Sequence, residues 1–206
     1  MDVYVTEQEQ IEQLKKWWHL YGKPVLLTLL VVLVLVFSWR TWKNHQDQIA
    51  IKASVAYEQL FSAYSNHDEK TLVTTAHQLM TETPKLPYAS DAALLLAKIN
   101  VEQHQLPEAV QNLQWILKNS PNATTRQVAR LRLARLFIAQ NQPQAALDLL
   151  QTVDQSAYIG VIDFVRGDAL LALGKTDQAH EQYHLALEVL PQDSMISNVV
   201  KMKFEN

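Results

Sequence analysis

GVIDFVRGDALLALGKTDQAHEQYHLALEVLP, residues 160–191, carries the reading of the fold. Apolar residues recur at helical spacing on both sides of Gly174-Lys175-Thr176, so the stretch predicts two helices joined by a tight turn. Gly167 stands where the first helix needs a small residue. Ala179, Tyr183 and Ala186 share one face of the second, and Pro191 closes the unit twelve residues after Ala179. The same frame appears at 90–121 as Ala97, Ala109, Leu113, Ile116 and Pro121. A third copy places Ala134, Ala146 and Leu150 in these roles without a closing proline. Equivalent alanines lie 37 residues apart (Ala109 to Ala146) and 33 apart (Ala146 to Ala179). A fourth unit around Ala76 is weaker, and Met195 to Phe204 is expected to cap the stack.

This spacing resembles the tetratricopeptide pattern of about 34 residues, in which a small residue on each helix lets its partner approach closely. Breakers at Asn66-His67-Asp68, Pro84 to Pro87, Gln105 to Pro107, Asn119 to Asn122, Asn141 to Pro143 and Pro191 predict helices over 46–65, 68–82, 89–104, 107–118, 123–140, 143–153, 158–173, 176–189 and 193–204. The predicted class is therefore all-α, with a tetratricopeptide-like repeat domain over 43–206.

Ahead of the repeats, PVLLTLLVVLVLVFSW (24–39) is 16 residues without a charge, bracketed by Lys23 and Arg40. At 1.5 Å per residue it spans roughly 24 Å, short of the roughly 30 Å hydrocarbon core. Trp17, Trp18 and Tyr21 on one side and Trp39 and Trp42 on the other supply the difference, because aromatic rings favour the headgroup level. The run predicts a single transmembrane anchor over 24–42. It is not read as a cleaved signal peptide, because bulky and charged FSWRTWKNH follows it where small residues are required. The tail, 1–23, is a short amphipathic helix with Ile11, Leu14, Trp17, Trp18 and Tyr21 on its apolar side. Lys15, Lys16 and Lys23 precede the anchor and Arg40, Lys43 and Lys52 follow it, so charge alone does not orient the chain.

The 206 residues carry a net charge of -3, which excludes a polyanion binder as a whole. With no cysteine there are no disulfides, thiolate zinc sites or cysteine nucleophiles. Four glycines cannot build a phosphate loop or a dinucleotide fingerprint, and no cofactor is expected. HEQYH, His180 to His184, matches the zinc-protease pattern H-E-x-x-H. A catalytic zinc needs a third protein ligand, however, and only Glu188, one turn along the same helix, is at hand. The pair is read as two solvated histidines beside a packing stripe, with an adventitious surface metal site as the alternative. Stoichiometric zinc lost in His184→Ala would revive a metallohydrolase.

Arg126, Arg130, Arg132 and Arg135 form a basic run on one helix, with Arg126 and Arg130 on a shared face and the other two pointing elsewhere. An acidic surrounding and the lack of an aromatic platform argue against nucleic acid. Arg130, Arg135 and Tyr158 are the candidate protein-binding residues of the soluble portion. Trp115 is read as core.

Tyr4, Thr6, Glu7, Glu9, Gln10, Lys15, Lys16, Trp17 and Trp18, then one anchor with its exit at Trp39, Arg40 and Trp42, then repeats, together resemble the YfgM family. The similarity runs from about Tyr4 to the C-terminus. The resemblance implies a non-enzymatic inner-membrane protein, ancillary to the SecYEG translocon, with a cytoplasmic N-terminus and a periplasmic repeat domain. It further implies partnership with the membrane-anchored periplasmic chaperone PpiD and a role in linking secreted chains to chaperones. The residue reading alone leaves open a cytoplasm-facing adaptor that recruits soluble regulators, and the oligomeric state.

Overall fold

A computed structural model describes residues 7–205, with side chains from Gln10 onward. Tyr4 and Thr6, and the side chains of Glu7 and Glu9, therefore lie outside the described residues. All the regular structure described is helical: α1 (Glu7–Ser65), α2 (Glu69–Glu82), α3 (Pro87–Glu102), α4 (Leu106–Asn119), α5 (Ala123–Ala139), α6 (Pro143–Leu149), α7 (Ile159–Ala172), α8 (Thr176–Val189) and α9 (Met195–Phe204), with a single 3-10 turn at Ser156–Tyr158. The helices predicted from 68 onward appear within a few residues of their expected bounds, except that α6 stops at Leu149. By compactness the chain divides inside α1, into residues 1–51 and 52–206.

The first unit is one helix. α1 runs without interruption through Pro24, which leaves the Leu20 carbonyl without its helical N–H partner, and Thr28 Oγ1 donates to the Pro24 carbonyl at 2.9 Å one turn on. Val25 to Phe37 present their large apolar side chains at 43% to 73% exposure, with no cover among the described residues. The helix is long and apolar enough to cross a membrane. Trp17 lies 6.0 Å from Tyr21 and Trp39 5.6 Å from Trp42, ring to ring, at the two ends of the apolar run.

The second unit is a stack of helix pairs: the end of α1 with α2, α3 with α4, α5 with α6, and α7 with α8. Each pair turns in the same way. His67, His104, Asn141 and Gly174 adopt left-handed backbone, with φ of 56°, 61°, 60° and 73°. The residue after each donates its N–H to a carbonyl five residues back: Asp68 to Ala63, Gln105 to Asn100, Gln142 to Phe137, Lys175 to Leu170. This is the closing bond of a Schellman cap, which satisfies orphan carbonyls at a helix end. The four turns are spaced 37, 37 and 33 residues apart, the repeat period made visible.

Counting from the turn residue aligns the core. Seven residues before it stand Leu60, Ala97, Ala134 and Gly167; nine after it stand Ala76, Leu113, Leu150 and Tyr183. All eight are buried. In three repeats the small residue is on the first helix and the large one on the second. In the first repeat the sizes are exchanged. Ala76 is thus not the equivalent of Ala109; Leu72, five residues after the turn, holds that position. The closing position, seventeen after the turn, is Pro84, Pro121 and Pro191 in three repeats and Tyr158 in the third. α9 covers the end of the stack, with Val200 buried among Phe164, Ala179, Tyr183 and Ala186. Trp115 packs, partly buried, against the first core cluster.

Candidate functional site

The first helices of the pairs share one face, and between α3 and α5 that face opens into a groove of about 370 Å³. Ala97 and Val101 of α3, Leu113 of α4 and Leu136 of α5 floor it. Lys98 and Glu102 rim one side, Arg132 and Arg135 the other. The local sequence sets this up. Pro87 starts α3, and Asn122 starts α5 by accepting the Thr125 N–H at 3.1 Å. Small Ala97 keeps the floor low. The i, i+3 spacing of Arg132 and Arg135 puts both guanidinium groups on the groove side.

The two rims differ in their electrostatics. Lys98 is engaged: its ammonium donates to Tyr64 Oη at 2.7 Å and lies 3.5 Å from Glu102. That hydrogen bond, with the Glu102 charge, raises the Lys98 pKa above its ordinary value. Arg132 and Arg135 form no hydrogen bond or ion pair among the described residues. Desolvation lowers the Arg135 pKa; Asp168 opposes that shift and the charge of Arg132 adds to it. An unpaired pair of like charges above an apolar floor suits a partner bearing both apolar and anionic groups. Asp168 itself is occupied, accepting from Tyr183 Oη at 2.8 Å and Lys203 Nζ at 2.6 Å.

A second hollow of about 220 Å³ lies beside the first, between Tyr64, His67 and Glu69 on one side and Ile99, Glu102 and Gln103 on the other. Glu102 borders both. Further along the same two helices Tyr57 faces Tyr88 with centroids 5.4 Å apart. Desolvation raises the nearby Asp91 carboxyl above its ordinary range.

The three soluble-side residues singled out from the sequence do not come together. Arg135 lines the groove. Arg130 is on the other side of α5, where Nε and Nη2 bond Asp154 Oδ2 at 3.1 and 2.8 Å and Nη1 reaches the Leu149 carbonyl at 3.3 Å. Arg126 Nε grips Oδ1 of the same carboxylate at 3.0 Å. Buried Gln127 accepts the Asp154 N–H at 2.9 Å. This clamp fixes the irregular segment after α6, the one place where a repeat's second helix stops early. Tyr158, at the end of that segment, is half-buried against the core around Leu131 and Ile162. The sequence reading passed over Lys98 and Glu102, and it named Arg132 in the basic run without making it a binding candidate; the signal for Arg132 was its spacing of three from Arg135.

His180 and His184 flank the ring of Phe204, with centroid distances of 5.6 and 6.2 Å, and His184 Nδ1 is 3.4 Å from Glu188. Among the described residues no three His, Asp or Glu side chains gather in a metal-binding geometry. Trp17, Trp18, Tyr21, Trp39 and Trp42 are all exposed on α1.

A family model described as a tetratricopeptide repeat-like domain matches residues 15–206. A protein of Escherichia coli K12 named Ancillary SecYEG translocon subunit is 28% identical over 208 residues, covering 100% of this chain and 98% of its own length. The chain belongs to the YfgM family. Other relatives carry the same name. The Aggregatibacter actinomycetemcomitans protein is 30% identical over 184 residues, 89% of this chain and 90% of its own. The Haemophilus influenzae protein is 27% identical over 202 residues, 98% of both chains. For a YfgM-family chain the match from residue 15 onward takes in the apolar run of α1 as well as the repeats.

Proposed function

We propose that this chain is a non-enzymatic, single-pass inner-membrane scaffold ancillary to the Sec translocon. In this reading the tail (1–23) is cytoplasmic, residues 24–42 are the anchor and the repeat domain (43–206) is periplasmic. There it links emerging secreted chains to a membrane-anchored chaperone of the PpiD kind. The observation that carries the reading is the end-to-end similarity to relatives each named Ancillary SecYEG translocon subunit. The groove supports it in kind, since an apolar floor with a one-sided cationic rim binds protein segments by shape and charge. We assign the contact to Arg135 with its neighbour Arg132. Arg130 acts at one remove, holding the segment that presents Tyr158.

Topology tests the reading first, and the absence of cysteine makes the test clean. Ser156 is exposed in the turn before α7. Ser156→Cys should react with a membrane-impermeant thiol reagent in cells whose outer membrane alone is permeabilised. Crosslinking to the translocon follows. Reaction only after full lysis would place the repeats in the cytoplasm, make the chain an adaptor for soluble regulators, and end the chaperone-linking reading.

A further inference from the structure

Residues 11–23 carry a second surface, distinct from the groove. At about 100° per residue, Lys15, His19, Lys23 and Lys16 fall within one sector of roughly 100°, with Glu12 between His19 and Lys23 as the one acid among them. Ile11, Leu14, Trp17, Trp18 and Tyr21 occupy the other side, each 47% to 65% exposed. The helix is thus amphipathic where it leaves the apolar run, and its apolar side has no protein cover among the described residues.

A straight helix does not serve this face. With the hydrocarbon edge near Pro24, Leu14 and Ile11 would stand roughly 15 to 20 Å beyond it, outside the headgroup layer, in water. The sequence supplies a place to bend. Pro24 has no N–H, so the Leu20 carbonyl lacks its helical partner. Gly22, two residues earlier, is a further weak point. The Trp18 indole lies over it so closely that a Cβ would meet ring atoms at 3.1 Å. Bending between Leu20 and Pro24 would lay Ile11, Leu14, Trp17 and Tyr21 onto the bilayer and leave the lysines at headgroup height.

We propose that residues 11–23 form an arm that folds onto the membrane surface and selects anionic phospholipid headgroups through Lys15, Lys16 and Lys23. The proposal rests on the anchor reading of residues 24–42. Charge complementarity decides the occupant: three lysines beside an aromatic stripe, next to a span, match an anionic interface, each contributing about a fivefold bias near a charged surface.

The test uses the full chain with one reporter, Ile11→Cys carrying an environment-sensitive fluorophore. It is reconstituted into phosphatidylcholine vesicles with or without about a third phosphatidylglycerol. Co-flotation with both kinds of vesicle reads the anchor; the fluorophore reads the arm. The expected result is a blue-shifted, quencher-protected label in phosphatidylglycerol vesicles only. Lys15→Gln, Lys16→Gln and Lys23→Gln together should lower the docked-to-free ratio on the order of a hundredfold. The corresponding three Lys→Arg changes should leave it intact, which separates charge from folding. A label equally water-exposed in both lipids overturns the proposal, as does one equally buried in both. Protection that appears only when purified translocon is added also overturns it and makes the face a protein contact.

Discussion

The first and last repeats solve one packing problem with opposite choices. At the crossing of the first pair, Leu60 on the first helix stands in register with Ala76 on the second; in the last pair it is Gly167 with Tyr183. Leu60, Ala76 and Tyr183 are each fully buried, and the Gly167 backbone lies directly under the Tyr183 ring. Interiors pack at crystal density, so the space between two helices must be filled once. Which helix fills it is free. The repeat therefore specifies a sum of volumes, and a search for conserved small residues at fixed positions finds only the copies with one polarity.

Gly167→Leu should break this arrangement hardest. Its Cβ alone would sit 2.5 Å from Tyr183 Cδ1, and Tyr183 is held in place by its 2.8 Å bond to Asp168 and by burial. The expected loss exceeds about 3 kcal/mol, read as the denaturant midpoint of the full chain in detergent. Adding Tyr183→Ala installs the large-over-small order of the first repeat. If exchange of sizes is what the comparison shows, the double variant recovers most of the loss; a double variant no better than Gly167→Leu alone would break the comparison. Leu60→Ala, which empties the first crossing, should cost about 3 kcal/mol by leaving a cavity that rigid neighbours cannot close. A paired Ala76→Leu should restore part of that stability and sharpen the equivalence.

The third repeat differs from both in losing half its second helix, and Asp154 holds the gap. Burial would raise this carboxyl's pKa, but hydrogen bonds from Arg130 and Arg126 outweigh burial and hold it below the usual carboxylate range. A folded pKa below the unfolded one means that the unfolded chain takes up the proton first. The stabilisation is therefore present above the ordinary aspartate pKa of about 3.9 and is lost as pH falls through the folded value. Asp154→Asn should cost about 2 kcal/mol at neutral pH, since it leaves two half-buried guanidinium groups under-paired. The gap between variant and parent should shrink below about pH 4. A gap that stays constant down to pH 3 would show that the amide, not the charge, matters.

Helix ends were legible because they are local. Gly174 and Asn141 adopt left-handed backbone readily, and Pro84, Pro121 and Pro191 stop helices wherever they stand. His67 and His104 sit in the same conformation, and the polar residues around them marked the turns correctly. The early end of α6 was not legible: apolar Leu149 and Leu150 continue the helical pattern, and only the clamp of Arg126 and Arg130 on Asp154, 28 and 24 residues away, turns the chain aside. The same distance in sequence hid the groove. Arg130 and Arg135 looked alike as charges, and what separates them is that Arg130 bonds Asp154 in the segment after α6, whereas Asp168 acts on Arg135 without a hydrogen bond or ion pair.

That separation yields the smallest effect on stability and the sharpest contrast with the core. Arg132→Ala with Arg135→Ala removes two cations that make no hydrogen bond or ion pair among the described residues and that repel each other across one turn. Surface substitutions of this kind shift stability by no more than about 0.5 kcal/mol. Arg126→Ala with Arg130→Ala, two arginines from the same helix, should instead destabilise by about 2 kcal/mol or more, because Asp154 is left without its partners in a half-buried site. Photocrosslinking from a reporter at Val101, on the groove floor, should show the opposite order. Captured partner should drop severalfold in the Arg132, Arg135 variant at unchanged stability. In the Arg126, Arg130 variant it should fall only in step with unfolding. Equal capture in parent and Arg132, Arg135 variant would mean that the unpaired rim is ordinary solvated surface, and that the partner is read by the apolar floor alone.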